Sequence, residues 1–311
     1  MHDLLQIGGI TETMRTRLEE HFTIHKLSEG TYPAEGITHV ATNGHDGVPA
    51  DVLAACPNIK MVSCYGVGYD AIDTKVAVDR GILVSHTPDV LNDEVASTTI
   101  MLMLASFRNF MADEAHARSG AWERDGNAPL SRSADNRRVG ILGLGRIGQA
   151  IADKLAAFNA EIHYHTRSKK DVPYTYHESL VEMAKAVEVM ICITPGGPST
   201  MHIVNEEVMN ALGSEGTLIN VSRGPVIDEV AMVKALQDGR LGYAALDVFE
   251  AEPKIPDALK TMTNVILLPH VGSATHETRA AMGGLVVDNL ISHLNSGKVL
   301  TSVPETAHLN V

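Results

Sequence analysis

The sequence predicts an α/β protein of two domains, each built on a parallel sheet. Three observations carry that prediction. Apolar strand-like runs alternate with helical stretches from the first residues onward. A glycine-rich strand–turn–helix occupies 139–155, and three later apolar runs end at or near Arg223, Asp247 and His270. At 311 residues and 44% hydrophobic content, the chain exceeds one ordinary domain of about 100–200 residues and has apolar material for two cores.

In chain order, DLLQIGG, THVATNG, IKMVSCYG and ILVSHT read as strands, with helices through TMRTRLEEH and through AIDTKVAVDR, the latter stopped by Gly81. After Pro88 a long helix is expected over roughly 93–110. Its apolar residues (Val95, Ile100, Met101, Leu102, Met103, Leu104) exceed one stripe, which predicts burial nearly all round. The segment 115–137 has no apolar periodicity and carries Gly, Pro, Ser and Asn, so it reads as an extended excursion between domains.

Composition excludes several functions. A net charge of −13 argues against nucleic acid or an anionic membrane as partner. There is no run of about 18 apolar residues, and MHDLLQIGGI lacks a basic region followed by an apolar stretch. The expectation is a cytoplasmic protein with no membrane association. Cys56, Cys64 and Cys192 form neither a CxxC motif nor a disulfide framework and read as buried thiols.

The run RRVGILGLGRIGQAIADKLAAF carries G-x-G-x-x-G at Gly143, Gly145 and Gly148, between an apolar strand and a helix with Ile147, Ile151 and Leu155. In that setting the first glycine makes the turn and the second lets backbone approach a pyrophosphate. The third brings helix close to strand, and the helix N-terminus offers oriented N–H groups to the anion. A dinucleotide is therefore the expected cofactor. The next strand, EIHYHT, should end in Asp or Glu if the ribose carries a free 2′-hydroxyl. It ends instead in Thr166, Arg167 and Ser168, followed by Lys169 and Lys170. A guanidinium can grip a 2′-phosphate that a carboxylate would repel, so the expected cofactor is NADP(H). The other reading is that Arg167 and the lysines are solvated loop residues, but the missing acid and the added arginine point the same way. His163 and His165 share a strand face and read as sheet packing, with no third ligand to make a metal site.

GTLINVS runs into Arg223, YAALDVF into Asp247, Glu250 and Glu252, and NVILLP into His270. Ligands of open α/β sheets sit outside the carboxyl ends of strands, so these three segments can converge. The set suits a 2-oxo acid. Hydride transfer to a keto carbon builds negative charge on oxygen, which calls for a fixed cation such as Arg223 and a proton donor such as His270. A glutamate on the other ring nitrogen would favour the imidazolium. Singly, each residue has an ordinary reading: a turn arginine, surface carboxylates, a core histidine.

The ordered set GLGRIG, NVSRGPVIDE, ALDVFEAEP and LLPHVGSAT resembles the D-2-hydroxyacid dehydrogenase family over essentially the whole chain, in particular its NADPH-dependent glyoxylate/hydroxypyruvate reductases. The resemblance implies Arg223 for substrate binding and oxyanion stabilisation, Glu252 as acid partner and His270 as proton donor. It further implies Asp247 at the nicotinamide carboxamide, and Arg146 with Ile147 at the pyrophosphate turn. It implies a Rossmann-type nucleotide domain, 99–284, inserted into a flavodoxin-like substrate domain made of 1–98 and 285–311. In CYGVGYDAID, N–H groups around Val67 and Gly68 could form an anion nest. Spacing alone leaves a simple turn equally open, and the resemblance implies substrate carboxylate binding there. It also implies a homodimer in which the Trp122 segment reaches toward the neighbouring subunit's cleft; a tryptophan packed within its own subunit is the other reading. The expected reaction is reduction of glyoxylate or hydroxypyruvate to the D-2-hydroxy acid. The alternatives are a bulkier 2-oxo acid, such as 2-ketogluconate or an arylpyruvate, and a nucleotide-sensing module without turnover.

Overall fold

Short apolar strands alternate with helices along most of the chain, the pattern of parallel sheets covered by helices. The computed structural model describes residues 2–311, which divide into two compact units, 2–91 with 274–311, and 92–273. The divisions fall ahead of two whole helices, at 91/92 and 273/274, where the sequence expectation had 98/99 and 284/285. A helix packs through its full length, so a boundary seven residues or more inside one would divide a single packing face.

The first unit runs β1 (His2–Gln6), α1 (Glu12–Glu19), β2 (Phe22–Lys26), β3 (Ile37–Asn43), α2 (Ala50–Ala55), β4 (Met61–Tyr65), α3 (Thr74–Asp79) and β5 (Leu83–Ser85). Its five strands are all parallel in the order β2-β1-β3-β4-β5, the doubly wound flavodoxin-like order. Side-chain caps start the helices where the sequence offers them: Thr11 accepts from Met14 N and Asp73 from Val76 N. Strand β2 was not foreseen. It is an edge strand whose only fully buried residue is Phe22, so it carries little apolar alternation.

The second unit follows with α4 (Asn92–Phe107), α5 (Phe110–Arg118), α6 (Ala121–Asp125), β6 (Arg138–Leu142), α7 (Arg146–Leu155), β7 (Glu161–His165), β8 (Thr175–Tyr176), α8 (Leu180–Ala186), β9 (Val189–Cys192), α9 (Glu206–Leu212), β10 (Thr217–Asn220), α10 (Glu229–Gln237), β11 (Tyr243–Leu246), α11 (Asp257–Thr261) and β12 (Val265–Leu267). The seven strands are parallel in the order β12-β11-β10-β9-β6-β7-β8. Successive strands go one way from β6 and the other way from β9, so the switch point lies between those two. Helix α12 (His276–Ser296), capped by Thr275, returns to the first unit and buries Val286, Val287 and Leu290 with Leu4, Met61 and Leu83.

Two expectations need correction. Helix α4 ends at Phe107, and Asn109, with φ 50° in the left-handed region, bends the chain by 65° into α5. The supposed excursion, 115–137, is therefore helical in its first part, at 115–118 and 121–125. Its helices α5 and α6 bury no residue fully, which removes the periodic signal that would have revealed them. Nor is α4 covered all round: Val95, Leu102, Met103 and Phe107 are buried, but Met101 is half exposed. Among the described residues no single helix is long and apolar enough to cross a membrane.

Candidate active site

Each glycine after β6 meets a different requirement. Gly143 has φ 100°, and a Cβ there would fall 2.9 Å from the Ile193 carbonyl. A Cβ on Gly148 would fall 2.3 Å from Gly143 O, so α7 can approach the strand only through glycine. Around Gly145 there is nothing within 4 Å. That glycine is not demanded by packing, and it leaves open space beside the start of α7, whose first turn has no side-chain cap. Arg146 and Ile147 are the first two residues of that turn. Open space beside uncapped N–H groups fits a dinucleotide pyrophosphate.

The tip of β7 is tied to this loop, since Gly143 N donates to His165 O (3.0 Å). Thr166 Oγ1 donates to Ser168 O (2.7 Å), and Tyr176 OH to Thr166 O (3.3 Å). Arg167, Ser168 and Lys169 are exposed. Lys170 behaves differently: its Nζ donates to Leu144 O and pins the glycine loop. His163 and His165 are engaged in packing, His163 Nδ1 lying 2.8 Å from His177 Nε2 and His165 Nδ1 donating to His177 O (2.9 Å). No group of three or more metal-ligating side chains exists among the described residues.

Strands β10, β11 and β12 are neighbours, and their registers level Asn220 with Leu246 and Leu246 with Leu267. Arg223, Asp247 and His270 follow at one rim. Asn220 holds the Arg223 turn, its Nδ2 donating to Arg223 O (2.9 Å) while its Oδ1 accepts from Ser222 N and Oγ. A Cβ on Gly224 would sit 1.9 Å from the Phe249 carbonyl carbon, so only glycine lets the Arg223 turn press against the Phe249–Glu250 peptide.

Asp247 is buried, and burial raises its pKa above the usual carboxylate value although backbone N–H groups oppose the shift. Its oxygens accept from Val271 N (2.7 Å) and Gly272 N (2.8 Å), and its carbonyl accepts from His270 N (2.8 Å). These bonds hold His270 at φ 54°, a conformation that costs a non-glycine residue energy unless its surroundings impose it. His270 Nδ1 then lies 2.8 Å from Glu252 Oε2, and Glu252 Oε1 accepts from Phe249 N (3.0 Å). The imidazole is 45% exposed, and Nδ1 is the ring nitrogen that faces Glu252.

Glu250, which sequence spacing left level with Glu252, turns elsewhere. Its Oε1 meets His202 Nε2 (2.7 Å) and accepts from Glu229 N (3.1 Å), while Glu229 Oε2 accepts from Glu250 N (3.3 Å). Burial raises Glu229 above the usual carboxylate range, although the hydrogen bond it accepts from Glu250 N opposes the shift. Sequence reasoning missed Glu229, His202 and the role of Lys170, because each acts through a contact distant along the chain.

In the first unit Val67 and Gly68 follow β4 and are half-buried. Val67 O faces His86 Nδ1 at 2.9 Å. Trp122 lies on α6 in the second unit, 63% exposed, with Nε1 donating to Asn127 Oδ1 (3.1 Å). All three cysteines are buried, and burial pushes the Cys192 thiol up to about 12.

Residues 100–272 match a family profile described as "D-isomer specific 2-hydroxyacid dehydrogenase, NAD binding domain". The chain is 41% identical over 310 residues to a glyoxylate/hydroxypyruvate reductase A of Arabidopsis thaliana, covering 96% of this chain and 98% of that one. It is 45% identical over 271 residues to a hydroxyphenylpyruvate reductase of Plectranthus scutellarioides, covering 87% and 86%. Its fold is similar to that of an NADPH-dependent glyoxylate/hydroxypyruvate reductase of Sinorhizobium meliloti, crystallised with NADP and malonate. The TM-score is 0.94, with 44% identity and 98% of each chain covered.

Proposed function

The chain belongs to the D-isomer specific 2-hydroxyacid dehydrogenase family, and from that premise we propose that it reduces small 2-oxo acids, glyoxylate and hydroxypyruvate, to the corresponding 2-hydroxy acids with NADPH, the D form where the carbon becomes chiral. The observation that carries this reading is the 2.8 Å pair of Glu252 and His270 on the rim that also bears Arg223. NADPH when bound supplies the hydride. Gly143, Gly145, Arg146, Ile147 and Gly148 receive its pyrophosphate, Thr166, Arg167 and Ser168 the 2′-phosphate, and Asp247 the carboxamide side. Arg223 holds the keto oxygen and stabilises the charge that develops there. His270 Nε2 gives that oxygen a proton, and Glu252 at Nδ1 favours the charged ring and fixes its orientation. Val67 and Gly68 take the substrate carboxylate.

Bulkier 2-oxo acids are the second reading, favoured by the 45% identity to a hydroxyphenylpyruvate reductase. The division of roles follows the two units: 2–91 with 274–311 for substrate, 92–273 for the dinucleotide. A homodimer is part of the proposal, supported by the exposed apolar side chains Met101, Phe110, Met111 and Trp122 on α4–α6. Loss of NADPH absorbance with a panel of 2-oxo acids tests the whole reading. Turnover of glyoxylate and hydroxypyruvate with NADPH is expected, and failure with every 2-oxo acid, or equal efficiency with NADH, overturns it.

A further inference from the structure

Strands β4 and β5 are parallel neighbours with Ser63 level with Ser85. The chain leaving β4 through Tyr65 to Tyr69 therefore runs beside His86 and Thr87, which leave β5. Three successive carbonyls of that turn are occupied from within the unit: Gly66 O by Thr87 N (2.9 Å), Val67 O by His86 Nδ1 (2.9 Å) and Gly68 O by Cys64 Sγ (3.7 Å). A trans peptide points its N–H opposite to its C=O. With the carbonyls of residues 66, 67 and 68 held inward, the N–H groups of Val67, Gly68 and Tyr69 face the other way. No acceptor among the described residues takes them. Gly66, at φ 156°, supplies the backbone angle that begins this arrangement.

Of the three restraints, the one on the central peptide comes from a side chain with a strong donor. A carbonyl oxygen can only accept, so His86 Nδ1 carries a proton and its tautomer at that nitrogen is set. The ring is buried and stands edge-on to Tyr69, centroids 5.3 Å apart, which fixes its plane.

We infer that His86 is a positioning residue for substrate: by donating from Nδ1 to Val67 O it orients the Val67–Gly68 peptide so that the Gly68 N–H meets a carboxylate. The inference rests on the functional reading above and adds to it the device that keeps the anion nest formed before substrate arrives. Preorganised donors bind better because no ordering remains to be done on association.

Two substitutions separate donor from filler. His86→Phe keeps an aromatic ring against Tyr69 but has no N–H. His86→Asn loses the ring but places an amide N–H at the same number of bonds from Cβ. Malonate binding to the NADP-loaded protein and glyoxylate kinetics are measured for both, with NADPH affinity as control. The expected result is about a tenfold rise in malonate Kd and glyoxylate KM for the Phe variant. In that variant kcat should change less than KM and NADPH affinity should stay near wild type, while Asn recovers most of the loss. A Phe variant that binds malonate as wild type does, or an Asn variant as impaired as Phe, overturns the inference. So does a fall in kcat with KM unchanged. If wild type binds malonate yet reduces no 2-oxo acid, the functional reading fails while the malonate comparison still decides the role of His86. Wild type that binds no malonate overturns the nest itself.

Discussion

Glu252 Oε2 lies 2.8 Å from His270 Nδ1, and the same carboxylate's Oε1 accepts from Phe249 N, so the acid partner is held at both oxygens before it meets the imidazole. An amide in its place keeps the shape but no longer favours a positive ring. The loss of reduction rate in Glu252→Gln should therefore grow as pH rises from mildly acid to alkaline. A loss of the same size at every pH would remove charge from its role. For His270→Gln, kcat should fall about 10²–10⁴-fold with NADPH affinity nearly unchanged, because the group acts on the proton transfer. Stopped-flow reduction and cofactor titration read the two quantities separately.

The glycine loop makes a second prediction by contrast. Gly148→Ala forces a Cβ to 2.3 Å from Gly143 O and should cost about 1–3 kcal/mol or more of stability. Gly145→Ala meets nothing within 4 Å and should fold as wild type does, yet bind NADPH more weakly because its methyl occupies the space beside the α7 N-terminus. Urea unfolding and NADPH titration of both variants check this. A Gly145→Ala protein with unchanged NADPH affinity would show that the pyrophosphate does not lie there.

Arg167 is exposed at the β7 tip, where no contact among the described residues accounts for its charge. Arg167→Ala should weaken NADPH binding by about 1.5–3 kcal/mol, the usual worth of a hydrogen bond to a charged group, and leave NADH nearly unaffected. Lys170→Ala should differ: its ammonium holds Leu144 O, so both cofactors should weaken together. Parallel losses for the two cofactors in the Arg167 variant would exclude the 2′-phosphate as its partner.

What could be read in advance follows the range of the forces involved. The glycine loop was legible because turn, approach and packing all act within six residues, and the strand ends because buried parallel strands are continuous apolar runs. Glu250 and Glu252 could not be separated by spacing, since what separates them is the path of 249–252 against Gly224 and Glu229. Strand β2 was missed for want of buried residues, and α5 and α6 for the same reason. Lys169 and Lys170 looked alike in sequence, but only Lys170 reaches back to the glycine loop.

His39 gives the first unit an acid-sensitive core. Its Nε2 lies 2.9 Å from His293 Nδ1 and its Nδ1 2.9 Å from Thr38 Oγ1, with Phe22 against the ring. Burial, then the neighbouring His293, His2 and Lys60, push its pKa from 6.5 down to about 3. The unfolded chain takes up this proton near 6.5 and the folded chain only near 3, so the unfolded form gains as pH falls through that window and nothing changes above it. His39→Leu should flatten the decline in stability, removing about 2 kcal/mol of it between neutrality and about pH 5. Equal pH slopes for wild type and variant in urea unfolding would place the acid sensitivity in another group.

Trp122 is 63% exposed on α6, and Phe110 and Met111 on α5 are 57% and 61% exposed. Such a set is costly to leave in water, and aromatic residues with Met are enriched where chains meet. The proposed homodimer covers them. Sedimentation should give a dimer, and replacing Phe110 and Met111 by Asp should yield monomers. Trp122→Ala tests the finer claim that this segment serves the neighbouring subunit's substrate site. It should change KM for larger 2-oxo acids several-fold with NADPH affinity held. Trp122 is the sole tryptophan, so its emission reports on this place alone. Malonate added to the NADP-loaded dimer should alter that emission, and the change should vanish in a monomeric variant. A dimer whose emission ignores malonate and whose Trp122→Ala kinetics match wild type would leave this tryptophan a dimer contact only.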